Sequence, residues 1–112
     1  MAKVTIWHNP KCSTSRNALA RLREKGIEPA IYLYAEEKPA KAEIEAMLKK
    51  LGVTASALLR RKQEEAKALA GATDAQILAA MAQDAMLIER PIVIGPKGAV
   101  LARPIEKLDA VL

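Results

Sequence analysis

Two hydrophobic periods alternate along this chain and divide it into strands and helices. Residues 3–7, KVTIW, put Val4 and Ile6 on one face, the two-residue repeat of a strand. From about Ser13 the period changes. Ala18, Leu19 and Leu22 fall on one stripe, Arg16, Arg21, Arg23 and Glu24 cover the rest, and Gly26 stands where a helix ends. AIYLY, residues 30–34, predicts a second strand, being rich in side chains that suit a pleated surface. Pro39 then opens a helix in which Ile44, Met47, Leu48 and Leu51 recur at i, i+3, i+4 and i+7, and Gly52 closes it.

Residues 55–70, rich in Ala, Leu, Lys and Glu, predict helix broken by at least one turn. Thr73 and Gln76 form a capping box ahead of a helix carrying Ile77 and Met81. In ERPIVIGPKGAVLARP two short apolar runs are joined by Gly95-Pro96-Lys97-Gly98, which predicts a β-hairpin with a four-residue loop. The final IEKLDAVL places Ile105, Leu108 and Leu112 on one helical face. The order is β-α-β, a helical insert at about residues 39–88, then β-β-α. That is an α/β fold in a single domain, 1–112, whose mixed sheet is flanked by helices. Its first two strands are parallel and joined by a right-handed crossover, and the hairpin is antiparallel.

Composition narrows this picture. Of 112 residues, 51% are hydrophobic and none is Phe, so the core is aliphatic. No apolar run approaches the ~20 residues that span a bilayer, and the apolar part of the first ten residues is too short for a secretory signal. A single cysteine excludes an internal disulfide framework and a Cys-rich zinc site. A monomeric protein of the reducing cytoplasm, without bound metal or cofactor and with no membrane partner, is the expectation. The net charge of +5 comes without a nucleic-acid-binding motif. The densest basic run, Arg60-Arg61-Lys62, is followed closely by Glu64 and Glu65, so a small anionic ligand is the better use of the excess.

HNPKCSTSRN, residues 8–17, holds the only cysteine and the only histidine. A cysteine that merely fills space has apolar neighbours, whereas Cys12 has Lys11, Ser13, Thr14, Ser15 and Arg16. It falls in the loop between the first strand and the first helix, on the sheet edge where α/β proteins collect ligands. Free N–H groups of the helix end are close at hand to face an anion. The helix terminus contributes about 0.3–1 kcal/mol, ~2 at best. One pKa unit requires about 1.4 kcal/mol, so a thiol starting near ~8.5 is only partly ionised by it at neutral pH. A cation must add to the helix end. His8 and Arg16 are the local candidates, and arginines from elsewhere in the chain the distant ones. Ser13, Thr14 and Ser15 are candidates for the N-cap.

Known signatures are excluded one by one. A Cys-x5-Arg phosphatase loop needs arginine at position 18, which is Ala18, and a Cys-x-x-Cys dithiol fails at Ser15. Walker-A and GxGxxG patterns are absent. Two Arg-Pro pairs, Arg90-Pro91 and Arg103-Pro104, frame the hairpin and bring two guanidiniums side by side at one end. Such a pair suits a tetrahedral oxyanion. Proline before a strand also makes Arg90-Pro91 a candidate cis bond.

IWHNPKCSTSRNAL, LLRRK, ERPIVI and ARPIEKL, in this order over nearly the whole chain, resemble the arsenate reductases that work with glutathione and glutaredoxin. The resemblance implies a thioredoxin-like fold with a helical insert. It implies that Cys12 attacks arsenate, that His8 promotes the thiolate and that Ser15 hydrogen-bonds the sulfur. Arg60, Arg90 and Arg103 would bind the oxyanion, with Arg61 standing beside Arg60 as the alternative. Glutathione is the implied co-substrate and glutaredoxin the implied partner, because no second cysteine is present to resolve the adduct. The residue after the cysteine is often Gly in this family and is Ser13 here, which leaves the oxyanion itself open. Two other readings stay in play. One is a thiol oxidoreductase of the same fold with another substrate. The other is a regulatory binding protein resembling the Spx regulators, many of which carry a cysteine where this chain has Ser15.

Overall fold

The computed structural model describes residues 4–112, so Lys3 of the predicted first strand lies outside the described residues. Those up to Tyr34, with Arg90–Leu112, form one compact unit, and Ala35–Glu89 form another.

In the first unit, strand β1 (Thr5–Trp7) leads into helix α1 (Ser13–Glu24) and strand β2 (Ala30–Tyr32). Strands β3 (Ile92–Gly95) and β4 (Gly98–Leu101) complete a four-stranded sheet of order β2-β1-β3-β4. β1 pairs with β2 in parallel, and the other two pairings are antiparallel. Alternation sorts the two faces. Val4, Ile6, Val93 and Ala102 pack with Ala18 and Leu22 of α1 and with Leu108 and Val111, all of them buried. Trp7, in register with Tyr32 and Ile92, belongs to the other face.

Three expectations change in this unit. β2 ends at Tyr32, and Tyr34 instead begins a single helical turn, α2 (Tyr34–Glu37). The hairpin connection is two residues rather than four, because Gly95 and Gly98 already pair with each other. The C-terminal segment Ile105–Val111 is a 3₁₀ helix. At three residues per turn it aligns Ile105, Leu108 and Val111, so Val111 is buried while Leu112 is only partly so. Gly95 is where the chain needs a glycine: a Cβ there would run into the carbonyl oxygen of Val111.

The second unit is built from short helices, with an antiparallel bridge between Leu59 and Ile88. Helix α3 (Lys41–Leu51) buries Ile44 and Met47 and ends at Gly52, whose left-handed φ of 69° turns the next N–H, that of Val53, back onto the Leu48 carbonyl at 3.2 Å. Helix α4 (Ala55–Leu58) and a 3₁₀ segment, Glu64–Leu69, are the broken helix read in the sequence. Helix α5 (Asp74–Gln83) starts at the Thr73–Gln76 box. The Thr73 Oγ1 accepts from the Gln76 N–H at 3.2 Å and Gln76 Oε1 from the Thr73 N–H at 2.9 Å. No helix among the described residues is long and apolar enough to cross a membrane.

Candidate active site

Register places the chemistry at one end of the sheet. Trp7 closes β1 opposite Ile92, the first residue of β3, and Ile92 pairs with Leu101, the last of β4. The His8–Cys12 loop therefore leaves the sheet beside Arg90 and Arg103, each two residues outside the hairpin pairs. Both Arg90-Pro91 and Arg103-Pro104 are cis.

The loop is a tight turn held by its own polar groups. The Cys12 N–H donates to the Asn9 carbonyl at 3.0 Å, and Asn9 Oδ1 accepts from the Lys11 N–H at 2.9 Å. Cys12, rather than any of the three hydroxyl residues after it, is the N-cap of α1. Its extended backbone (φ −96°, ψ 122°) lets its carbonyl accept the first helical bond, from Arg16 at 3.0 Å. The sulfur makes no capping bond of normal geometry. Ser15 is fully buried, and its Oγ lies 2.7 Å from His8 Nδ1 and accepts from the Asn9 N–H at 3.0 Å. One hydroxyl thus ties the strand end to the first turn of the helix.

His8 is held below the ordinary histidine pKa, first by burial and then by the positive charges of Arg16 and Arg23. It is neutral at pH 7 and lends the sulfur no charge. Its visible partner is Ser15, whose hydroxyl is in turn engaged by His8 and Asn9.

Cys12 has two opposing influences. Burial pushes its thiol up. The Ser15 N–H, the Arg90 guanidinium and the Thr14 N–H together outweigh burial and leave the pKa below the usual thiol value. Arg103 supplies a hydrogen bond from Nη2 to Sγ at 3.6 Å, but the charge that lowers the thiol is chiefly that of Arg90. Arg90 is 7% exposed, so solvent screens its charge little. Arg103 is in turn fixed by a bond from its Nε to the Arg90 carbonyl at 2.6 Å.

The structure gathers Cys12, His8, Ser15, Arg90 and Arg103 in the first unit. Arg60 belongs to the second, where its Nη1 lies 2.5 Å from Glu89 Oε1 with both side chains mostly buried. Its neighbour Arg61 is exposed and donates to the Ser56 carbonyl and hydroxyl. Asn9, within the loop, and Tyr34, beside it, also belong to this neighbourhood and were not singled out in the sequence. Asn before Pro is a turn signal that points to Asn9. For Tyr34 the apolar run offered only a strand. Among the described residues no group of three or more His, Cys, Asp or Glu side chains could hold a metal ion.

This mixed sheet, with one low-pKa thiol at the start of its first helix, defines a thioredoxin-like thiol protein. The chain belongs to the ArsC family, whose sequence pattern matches residues 7–111. An arsenate reductase from Escherichia coli is 43% identical over 110 residues, 95% of this chain and 78% of the relative. One from Haemophilus influenzae is 39% identical over 97% of this chain and 98% of its own length. The structure of an arsenate reductase from Vibrio cholerae superposes with a TM-score of 0.92 at 39% identity, covering 98% of both chains.

Proposed function

We propose that this chain reduces arsenate to arsenite through Cys12. The observation that carries the reading is the sole thiol, lowered in pKa and set against Arg90 and Arg103 at a helix N-terminus. The Cys12 thiolate attacks arsenic, and a water leaves to give a sulfur–arsenic adduct. Glutathione then attacks the Cys12 sulfur. The S–As pair of electrons passes to arsenic, which departs as arsenite, and Cys12 is left as a mixed disulfide with glutathione. Two thiols supply the two electrons, and glutaredoxin returns Cys12 to the thiol. Arg90 and Arg103 neutralise the oxyanion and the charge that develops on it. Ser15 and neutral His8 hold the loop that carries the sulfur. Arg60 is the third arginine of the reading. This chemistry belongs to a reducing compartment, the cytoplasm.

The test is arsenite production by the purified protein with arsenate, glutathione and glutaredoxin. Cys12→Ser should abolish turnover, and mass spectrometry after a single cycle should find one glutathionyl group on Cys12. Arg60→Ala should lower kcat/KM well beyond Arg61→Ala. Sustained turnover with thioredoxin and no glutathione would overturn the mechanism. Turnover by the Cys12→Ser variant would end the reading altogether.

A further inference from the structure

Tyr34 is fully buried, two residues beyond the end of β2. Its ring lies nearly parallel to that of Trp7, with centroids 6.1 Å apart and planes 20° apart. Trp7 immediately precedes His8 and is in register with Ile92, so Tyr34 sits at the sheet end where the Cys12 loop and Arg90 meet. Its hydroxyl is shut off from solvent and makes no hydrogen bond of normal geometry. Buried hydroxyls in folded proteins nearly always find a partner, so an orphan asks for one.

The groups around that hydroxyl say what is missing. The Arg90 guanidinium faces the phenol, and a guanidinium can only donate. Asn9 also faces it, and the Asn9 amide oxygen already accepts from Lys11, which turns the NH₂ side into the group on offer. Arg103, with its donors to Cys12 and to the Arg90 carbonyl, adds a further cation at the same end. The phenol oxygen can be served by these neighbours, but its proton has no acceptor among Arg90, Asn9 and Arg103, and the Cys12 sulfur, whose charge also reaches the phenol, makes no hydrogen bond to it. Donors converge here, and what would complete them is a group with several acceptor oxygens.

We propose that the Tyr34 hydroxyl donates a hydrogen bond to the oxyanion held at Cys12, Arg90 and Arg103, and is a substrate-binding group of this site. The inference rests on the oxyanion chemistry proposed above for Cys12. Burial keeps the phenol protonated well into alkaline pH, as a donor must be, against the opposing pull of Arg90 and Asn9.

The experiment uses Tyr34→Phe, which keeps the ring against Trp7 and deletes only the hydroxyl. Alkylation of Cys12 by iodoacetamide is followed against arsenate and, separately, phosphate concentration, so the readout is anion occupancy and not turnover. In the wild type the anion should protect the thiol. In the variant about tenfold more anion should be needed for equal protection, the size expected for one hydrogen bond to a charged group. Without anion the variant should melt at the same temperature or higher, since an orphaned buried hydroxyl has been removed. Protection equal to the wild type overturns the inference while leaving the oxyanion site standing. A lower melting temperature without anion makes Tyr34 a structural residue and overturns it too. A wild-type thiol that neither anion protects removes the oxyanion site and this inference together.

Discussion

Arg103 donates through Nε to the main-chain carbonyl of Arg90 at 2.6 Å, so a side chain after one hairpin strand is clamped to the backbone before the other. The same guanidinium reaches the Cys12 sulfur through Nη2. A planar fork can do both at once, and an ammonium cannot reproduce that geometry. Arg103→Lys should therefore behave much like Arg103→Ala in kcat/KM, each falling by about 10²–10³. Both variants also withdraw a hydrogen bond from the Arg90 carbonyl, which should lower stability by about 1 kcal/mol. Steady-state kinetics and thermal melts on the two variants check this. Near-full activity in the lysine variant would reduce Arg103 to a point charge.

The source of the low Cys12 pKa is equally open to measurement. Alkylation rate against pH should inflect below the ordinary thiol value in the wild type, and Arg90→Gln should move the inflection upward. His8→Gln should move it much less, because His8 is neutral where the thiolate forms. An inflection that follows His8 instead of Arg90 would return the histidine to the role expected from the sequence.

His8 should leave its mark on stability in place of reactivity. Its folded-state pKa lies below the unfolded value of about 6.5. Between the two values the unfolded chain binds more protons, so stability rises with pH. The contribution is complete above about pH 6.5 and is lost as pH falls through the folded pKa. Melting temperatures from pH 4 to 8 should therefore drop on the acid side more steeply in the wild type than in His8→Gln. Parallel curves for the two proteins would show that the ring is not held neutral by the fold.

Gly95 offers a purely structural check. A methyl group there meets the Val111 carbonyl oxygen, which also accepts from the Lys97 N–H at 3.1 Å. Gly95→Ala must push the C-terminal 3₁₀ segment off the hairpin, an overpacking cost of about 1–3 kcal/mol. A melting temperature lower by at least about 4 °C is the expected result. No change would mean that the segment shifts freely.

Which parts of this could be read in the sequence follows from how local their causes are. The Thr73–Gln76 box, the i, i+3, i+4, i+7 stripe of α3 and the Gly52 stop depend on neighbours within a turn, and the structure has them as read. The Arg90–Arg103 pairing was also legible, since hairpin symmetry brings residues equidistant from a turn together. Tyr34 was misplaced because AIYLY has strand composition throughout, and nothing in those five residues says that the strand stops after three. The burial of Val111 over Leu112 was missed because a 3₁₀ period cannot be told from an α period over eight residues. His8 and Ser15 were found as residues, but their bond to each other arises only when strand end and helix start fold together.

At the N-cap of α1 the fold and the chemistry want different atoms. Cys12 occupies a position that rewards a small side-chain oxygen, and its sulfur, which the Ser15 and Thr14 N–H groups favour as a thiolate, makes no capping bond of normal geometry. The inactive Cys12→Ser protein should accordingly be the sturdier molecule, melting above the wild type. Sulfur at this position is thus a concession of durability to reactivity, and a screen for thermostability alone would steer the chain away from its own chemistry.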